Sequence, residues 1–191
     1  MPQTKSKTNL KSNQSLFTKP NIISMLRVPI LLLAVYILIS GNPLVAATLI
    51  LVVFLMDILD GYVARKFHGA TEFGKVVDEI GDRIVENVLF ITFAYLQYIP
   101  LWAPIIMVMR AIIVDSYILY KNPSRKETTK YSKLIRSNIS RGGYGLSKLV
   151  LFIGLAIHPI LSQFYQNMLF ILMIFVVLFS IFRGIVKMLE A

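Results

Sequence analysis

The chain of 191 residues is 56% hydrophobic and 16% charged, with a formal net charge of +10 at pH 7. Its mean hydropathy of +0.68 excludes an ordinary soluble domain of this size and is typical of a protein that crosses a membrane several times. The absence of cysteine excludes disulfide and thiolate chemistry.

The N-terminal segment is polar and basic, with no acidic residue before position 21. We predict a tail over 1–20 and a membrane domain over 21–191. Between positions 16 and 27, apolar residues are interleaved with Lys19 and Arg27, as in an amphipathic helix that lies at the level of lipid headgroups. An interfacial helix is therefore expected before the first membrane span.

Long apolar runs predict an all-α, polytopic membrane protein with six transmembrane helices, each near the ~20 residues that a bilayer requires. Turn residues, among them Gly41, Pro43 and Pro159, interrupt these runs. The predicted spans are 25–40, 43–64, 74–97, 100–120, 146–164 and 167–187.

The links between these spans are alternately basic and uncharged. Lysine and arginine occur in the tail, in 65–75 and in 121–148, whereas 41–43 and 159–167 contain neither. This pattern predicts an integral membrane protein with both termini in the cytoplasm. We expect the membrane to be a prokaryotic plasma membrane. Because the basic residues flank spans and form no separate soluble domain, they favour membrane lipids and phosphate-bearing substrates over nucleic acid.

Four aspartates lie close together around the link between the second and third spans. Asp57 and Asp60 share one helix face, and Asp78 and Asp82 share another. If the chain turns back at 66–71, the two pairs face each other across a helix contact. Four ionised carboxylates need a counter-charge, and their hard oxygens suit Mg²⁺, Mn²⁺ or Ca²⁺, so we predict a divalent metal site on the cytoplasmic side.

Small residues and one arginine accompany the aspartates. Gly61, Ala64 and Gly74 leave room for a ligand or for close helix packing, and Arg65 can bind a phosphate held by the metal. Metal, phosphate and cleft together indicate phosphoryl-type transfer.

The spacing of these residues resembles the signature of the CDP-alcohol phosphotransferases, also called CDP-alcohol phosphatidyltransferases, which are integral membrane enzymes of phospholipid synthesis. A match at every fixed position is a far more specific signal than a lone glycine motif. The matching residues are Asp57-x2-Asp60-Gly61-x2-Ala64-Arg65-x8-Gly74-x3-Asp78-x3-Asp82.

The resemblance implies a mechanism in which an acceptor hydroxyl attacks the lipid-side phosphorus of a CDP-linked donor, and CMP leaves. It implies CDP-diacylglycerol as the donor, two Mg²⁺ or Mn²⁺ ions and a homodimer. By position in the motif, Asp57, Asp60, Asp78 and Asp82 would hold the metal ions, Asp82 would also be the general base, and Gly61, Ala64, Arg65 and Gly74 would line the pocket for the CDP moiety.

The acceptor phosphate is expected to bind basic residues in the second half of the chain, namely Arg110, Arg141 and Lys148. The glycines at 142, 143 and 145 would allow close backbone approach there. For Arg110, an ion pair with Asp115 of purely structural use stays open.

We predict a phosphorylated polyol as the acceptor, glycerol 3-phosphate first and inositol phosphate second. Arg110 resembles an arginine in the fourth span of the relatives that make phosphatidylglycerophosphate, although Ile118 stands where those relatives have a second arginine. Asp82-Arg83 is closer to the form found in relatives that use inositol phosphate.

Two other classes stay open. A small polytopic protein with buried carboxylates could be a divalent-cation transporter, or the chain could be a silent relative that acts as a partner subunit. Release of CMP, rather than flux of metal, distinguishes an enzyme from a transporter.

Overall fold

A computed structural model describes residues 19–66, 72–121 and 138–189, and these residues are almost entirely helical. Six α-helices and one short 3₁₀ helix make up this described part. They are α1 (Lys19–Ile39), α2 (Pro43–Lys66), α3 (Glu72–Tyr95), α4 (Trp102–Lys121), α5 (Asn138–Ala156), the 3₁₀ helix His158–Ile160 and α6 (Gln163–Leu189).

The helices form one bundle. Helix α1 packs on α2 and α3, α2 packs on α5, and α4 and α5 each pack on α6. Helix α3 also contacts α4 and α5. Phe90, Phe93 and Phe152 are fully buried where α3 meets α5, and Phe152 lies edge-on to Phe90 and stacks on Phe93. Phe152 also lines the cavity described below.

Two helices of the described part, α4 and α6, are long and apolar enough to cross a membrane. Shorter apolar stretches occur over Met25–Ile39, Pro43–Leu59 and Gly142–Ala156. The all-α prediction is thus confirmed for the described residues, while six spans stay a prediction. Helices α1, α2 and α3 owe their shorter or weaker apolar character to charged residues, among them Arg27, Asp57 and Asp82.

The start of the chain differs from the prediction of a separate interfacial helix. From Lys19 onward the backbone is one continuous helix, α1, that includes Arg27 and the first predicted span. Residues 1–18 lie outside the described part. Arg27, expected at the headgroup level, is instead 1% exposed inside the bundle.

The fifth predicted span, 146–164, was placed too late in the sequence. Helix α5 runs over Asn138–Ala156 and is followed by the 3₁₀ helix, in which Pro159 lies near the start. A proline lacks the backbone donor that an α-helix needs and disfavours helical geometry in the residue before it, so α5 ends before His158. The helix begins earlier than the predicted span because its first turns consist of polar and glycine residues, which an apolar run does not include.

The links opposite the aspartates contain a stacked pair of rings. The rings of Tyr98 and His158 lie 4.4 Å apart between centroids and tilt by 15°. Burial raises the pKa of Tyr98 and lowers the pKa of His158, so both rings stay neutral at neutral pH. The pair connects the α3–α4 link to the α5–α6 link.

Candidate functional site

Two of the predicted metal-site aspartates meet at one arginine. Arg27 of α1 donates from Nη1 to Oδ1 of Asp57 on α2, and from the same nitrogen to Oδ1 of Asp82 on α3, at 3.0 Å. Asp82 is separated from Arg27 by 55 residues, so only the packing of α1 on α3 creates this contact. One guanidinium therefore lies between a carboxylate of α2 and a carboxylate of α3.

A cavity of about 390 Å³ opens beside these residues. Helices α1, α2, α3 and α5 contribute to its wall, which combines charged side chains with apolar ones. Its lining residues are Arg27, Val53, Phe54, Asp57, Ile58, Asp82, Val85, Glu86, Gly142, Gly145, Leu146, Lys148, Leu149 and Phe152. The volume is in the range of pockets that hold small-molecule ligands.

A second charged pair forms part of the same wall. Lys148 Nζ of α5 lies 3.5 Å from Oε1 of Glu86 on α3, and Glu86 is 7% exposed. The hydroxyl of Tyr144 donates to the same Glu86 oxygen at 3.2 Å, while the Lys148 ammonium lies 4.7 Å from the centre of the Tyr144 ring. Glu86 thus holds Lys148 at the cavity.

Two glycines of α5 lie on the cavity wall. Gly142 and Gly145 line it, and a Cβ atom at either position would meet no other atom within 4 Å. Helix packing therefore does not require glycine there, and glycine destabilises a helix by about 0.5–1 kcal/mol relative to alanine. The backbone of α5 is therefore free of side chains at two positions of the cavity wall.

Gly81 has a different reason to lack a side chain. A Cβ atom at this position would lie 2.6 Å from Nη2 of Arg27, closer than real Cβ contacts allow. The guanidinium can occupy its place between the aspartates because α3 has no side chain at position 81.

Several predicted site residues lie outside the part of the structure whose side chains are described. Arg141 is in the first turn of α5, and the others are in α2 or α3. These residues are Asp60, Gly61, Ala64, Arg65, Gly74, Asp78 and Arg141. Their assigned roles stay predictions.

Arg110 lies apart from the cavity. Its Nε donates to the backbone carbonyl of Ser180 at 3.1 Å, which places the guanidinium between α4 and α6. Asp115, considered above as its ion-pair partner, instead contacts Arg83 of α3 at 3.0 Å. Of the three cations predicted for the acceptor phosphate, Lys148 is the one that the described structure places on the cavity wall.

The sequence analysis placed Arg27 in an interfacial helix and did not connect it with the aspartates. Two features of the sequence could have indicated its role. Clustered carboxylates need a counter-charge, and Arg27 lies beside the first apolar run. No spacing rule connects α1 to α3, so the pairing itself was not visible.

The donor set fits a hard divalent cation. Asp57 and Asp82 offer carboxylate oxygens at one place, and such oxygens are the usual ligands of Mg²⁺ and Mn²⁺. Among the described side chains, no group of three or more His, Cys, Asp or Glu residues is arranged to hold a metal ion. Asp60 and Asp78 lie one helical turn from Asp57 and Asp82, on the same two helices.

Comparison with known proteins agrees with the motif. The family model described as CDP-alcohol phosphatidyltransferase matches residues 17–182. A CDP-diacylglycerol--glycerol-3-phosphate 3-phosphatidyltransferase from Aquifex aeolicus is 35% identical over 79 residues, 41% of this chain and 42% of that protein.

Relatives with other acceptors are similar as well. A CDP-diacylglycerol--inositol 3-phosphatidyltransferase from Schizosaccharomyces pombe is 35% identical over 94 residues, 48% of this chain and 39% of that protein. A cardiolipin synthase (CMP-forming) / mitochondrial hydrolase fusion protein from the same yeast is 29% identical over 172 residues, 82% of this chain and 29% of that protein.

The chain spans less than half the length of these curated relatives. The family model, in contrast, covers most of the chain and includes the aspartate stretch, Arg27 and the glycines of α5. The chain therefore belongs to the CDP-alcohol phosphatidyltransferase family, a family of membrane enzymes.

Proposed function

We propose that this protein transfers a phosphatidyl group from CDP-diacylglycerol to a hydroxyl of a phosphorylated polyol and releases CMP. The observation that carries the proposal is the convergence of Asp57 and Asp82 at a cavity that also presents Lys148 and two helix glycines. Membership of the family supports the reaction class. The match to the family model does not support the alternative of a divalent-cation transporter.

The proposed reaction balances without a further reactant. The acceptor oxygen forms a bond to the lipid-side phosphorus, the bond from that phosphorus to the oxygen of CMP breaks, and CMP carries away the electron pair. Asp82 accepts the proton of the attacking hydroxyl, a role that a carboxylate fills when it lies within hydrogen-bond distance. Asp82 is half exposed at the cavity, so a bound hydroxyl can reach it.

Bound Mg²⁺ or Mn²⁺ ions would neutralise the donor diphosphate and stabilise the departing CMP. The chain's own residues that would hold them are Asp57, Asp60, Asp78 and Asp82. Gly61, Ala64, Arg65 and Gly74 are proposed to line the part of the pocket that binds the CDP moiety.

The acceptor is proposed to be glycerol 3-phosphate, with inositol phosphate as the second candidate. Lys148, held at the cavity by Glu86, supplies a cation for the acceptor phosphate, and Arg141 is proposed to assist from the first turn of α5. The names of the curated relatives give different acceptors. The choice of these two candidates therefore rests on the basic residues of α5 and on the aspartate motif.

The proposed setting is a six-span membrane domain over residues 21–191, a homodimer in a prokaryotic plasma membrane, with the cavity facing the cytoplasm. The apolar stretches of α1, α2 and α5 support spans in addition to α4 and α6. The uncharged and basic links support the orientation.

The deciding experiment measures CMP release by the purified full chain in detergent micelles. With Mg²⁺, CDP-diacylglycerol and glycerol 3-phosphate, we expect CMP and a phosphorylated lipid product in equal amounts, and Asp82→Asn should lower the rate at least about a hundredfold, as loss of a general base does. The matched control is Asp115→Asn, which removes a carboxylate on α4 that pairs with Arg83 outside the cavity. If Asp82→Asn retained the activity of the parent protein, the proposed site would be wrong.

A further inference from the structure

Arg27 is a cation in direct contact with both carboxylates of the proposed metal site. Its side chain is 1% exposed and lines the cavity, and its Nη1 binds Oδ1 of Asp57 and Oδ1 of Asp82. It comes from α1, a helix that contributes none of the aspartates of the motif. Arg27 therefore connects a third helix, α1, to the site by ion pairs.

Stability alone gives little reason for such an arrangement. A buried ion pair loses the hydration of both charges, and well-packed apolar residues of similar volume are often as stable or more so. Here α3 also lacks a side chain at Gly81, where a Cβ atom would lie 2.6 Å from Nη2 of Arg27. The chain thus accepts a buried guanidinium and a glycine inside a helix at the same place.

The carboxylate oxygens that Arg27 contacts, Oδ1 of Asp57 and Oδ1 of Asp82, are among those that could bind a divalent cation. A guanidinium and a metal ion carry charge of the same sign, and each satisfies a carboxylate oxygen in place of the other. We infer that Arg27 is a positioning residue that competes with divalent cations for Asp57 and Asp82, and so lowers the affinity of the site for metal when no donor is bound. The negative diphosphate of a donor would offset this effect.

The inference rests on the proposed function, because it concerns the same metal site. It assigns Arg27 a measurable effect that does not depend on turnover. Binding of Mn²⁺ to the purified full chain in detergent, followed by electron paramagnetic resonance of the free ion, provides that measurement without donor or acceptor.

We expect Arg27→Met to bind Mn²⁺ about fivefold more tightly or better than the parent protein, the range in which two ligands of one site are commonly coupled. Arg27→Lys keeps a positive charge, and its affinity should stay near that of the parent. Lys187→Met is the matched control, because it removes a positive charge from α6 outside the cavity and should not change Mn²⁺ affinity.

A second variant keeps the test decisive if Arg27→Met does not fold. Gly81→Ala leaves the net charge unchanged but forces the guanidinium away from its place, so it should also tighten Mn²⁺ binding. Equal or weaker binding by the folded variant would overturn the inference while leaving the proposed function intact. Failure of the parent protein to bind Mn²⁺ at all would remove the proposed metal site and this inference together.

Discussion

The contact between Glu86 and Lys148 shows how single residues set the character of the cavity. Glu86 is nearly buried, and both the Lys148 ammonium and the Tyr144 hydroxyl satisfy the same carboxylate oxygen. A lysine on a flexible four-carbon stem would otherwise sample many positions. The pair therefore fixes a cation at the cavity and keeps the buried carboxylate compensated.

The glycines of α5 allow a comparison at neighbouring positions. Gly145 lines the cavity and Gly143 does not, yet a Cβ atom at either would meet no other atom within 4 Å. We expect Gly145→Leu to lower the rate of CMP release about tenfold or more, because the new side chain occupies space for a ligand and displaces it from its reactive position. The measurement is the steady-state rate at several acceptor concentrations.

Gly143→Leu is the control for this prediction. Both variants replace a helix glycine by a residue of higher helix propensity, so neither should lower the melting temperature of the protein. Equal loss of activity in the two variants would show that α5 tolerates no side chain in this turn for reasons other than the cavity.

Among the helices, the contact between α4 and α6 depends on the absence of a side chain at one position. A Cβ atom at Gly184 would lie 2.9 Å from Cγ2 of Val114 and 3.2 Å from Nε of Arg110. Val114 is buried, and valine has a stiff χ1 angle, so it cannot move aside easily. The two helices can approach to this distance only because residue 184 is glycine.

We therefore expect Gly184→Ala to destabilise the protein by about 1–3 kcal/mol, the usual range for overpacking. Unfolding by urea in detergent micelles measures the change. Combining Gly184→Ala with Val114→Ala should cost less than the sum of the single changes, since the second change removes the clash. Additive costs would mean that the clash is relieved elsewhere.

The helices themselves were largely predictable, whereas the contacts between them were not. Apolar runs and turn residues gave α2 and α4 within a few residues, because a long apolar segment needs its backbone hydrogen bonds satisfied within the helix. The fifth span was wrong by about a turn or two, because apolar content does not mark where a helix with polar first turns begins.

The site was predictable only where the relevant residues share a helix or a motif. The spacing of Asp57 and Asp82 within the motif led to the expectation that they face each other. Arg27 and Lys148 reach the same cavity from α1 and α5, through tertiary packing that no periodicity encodes. A pattern of charge shows that a carboxylate cluster needs compensation, but it does not show which residue supplies it.

At the scale of the whole molecule, the length and charge of each helix determine whether it can cross the membrane. In the described part, α4 and α6 qualify by length and composition alone, while α1, α2 and α5 have shorter apolar stretches. Charged residues at membrane depth are tolerated where they face the interior of a bundle and compensate one another. Arg27 is buried inside the bundle and compensates Asp57 and Asp82 at the cavity, so these charges are compatible with spanning.

The absence of cysteine makes the number of membrane crossings directly testable. Asn42, Ser162 and Lys121 are exposed at helix ends, the first two in uncharged links and the third at the start of a basic link. Six spans with cytoplasmic termini place Asn42→Cys and Ser162→Cys outside and Lys121→Cys inside, because basic links stay in the cytoplasm. A membrane-impermeant maleimide added to intact cells should therefore label the first two variants, and should label Lys121→Cys only after the membrane is opened. Labelling of Asn42→Cys and Lys121→Cys from the same side would exclude the six-span arrangement, because in that arrangement three crossings, by α2, α3 and α4, separate these positions.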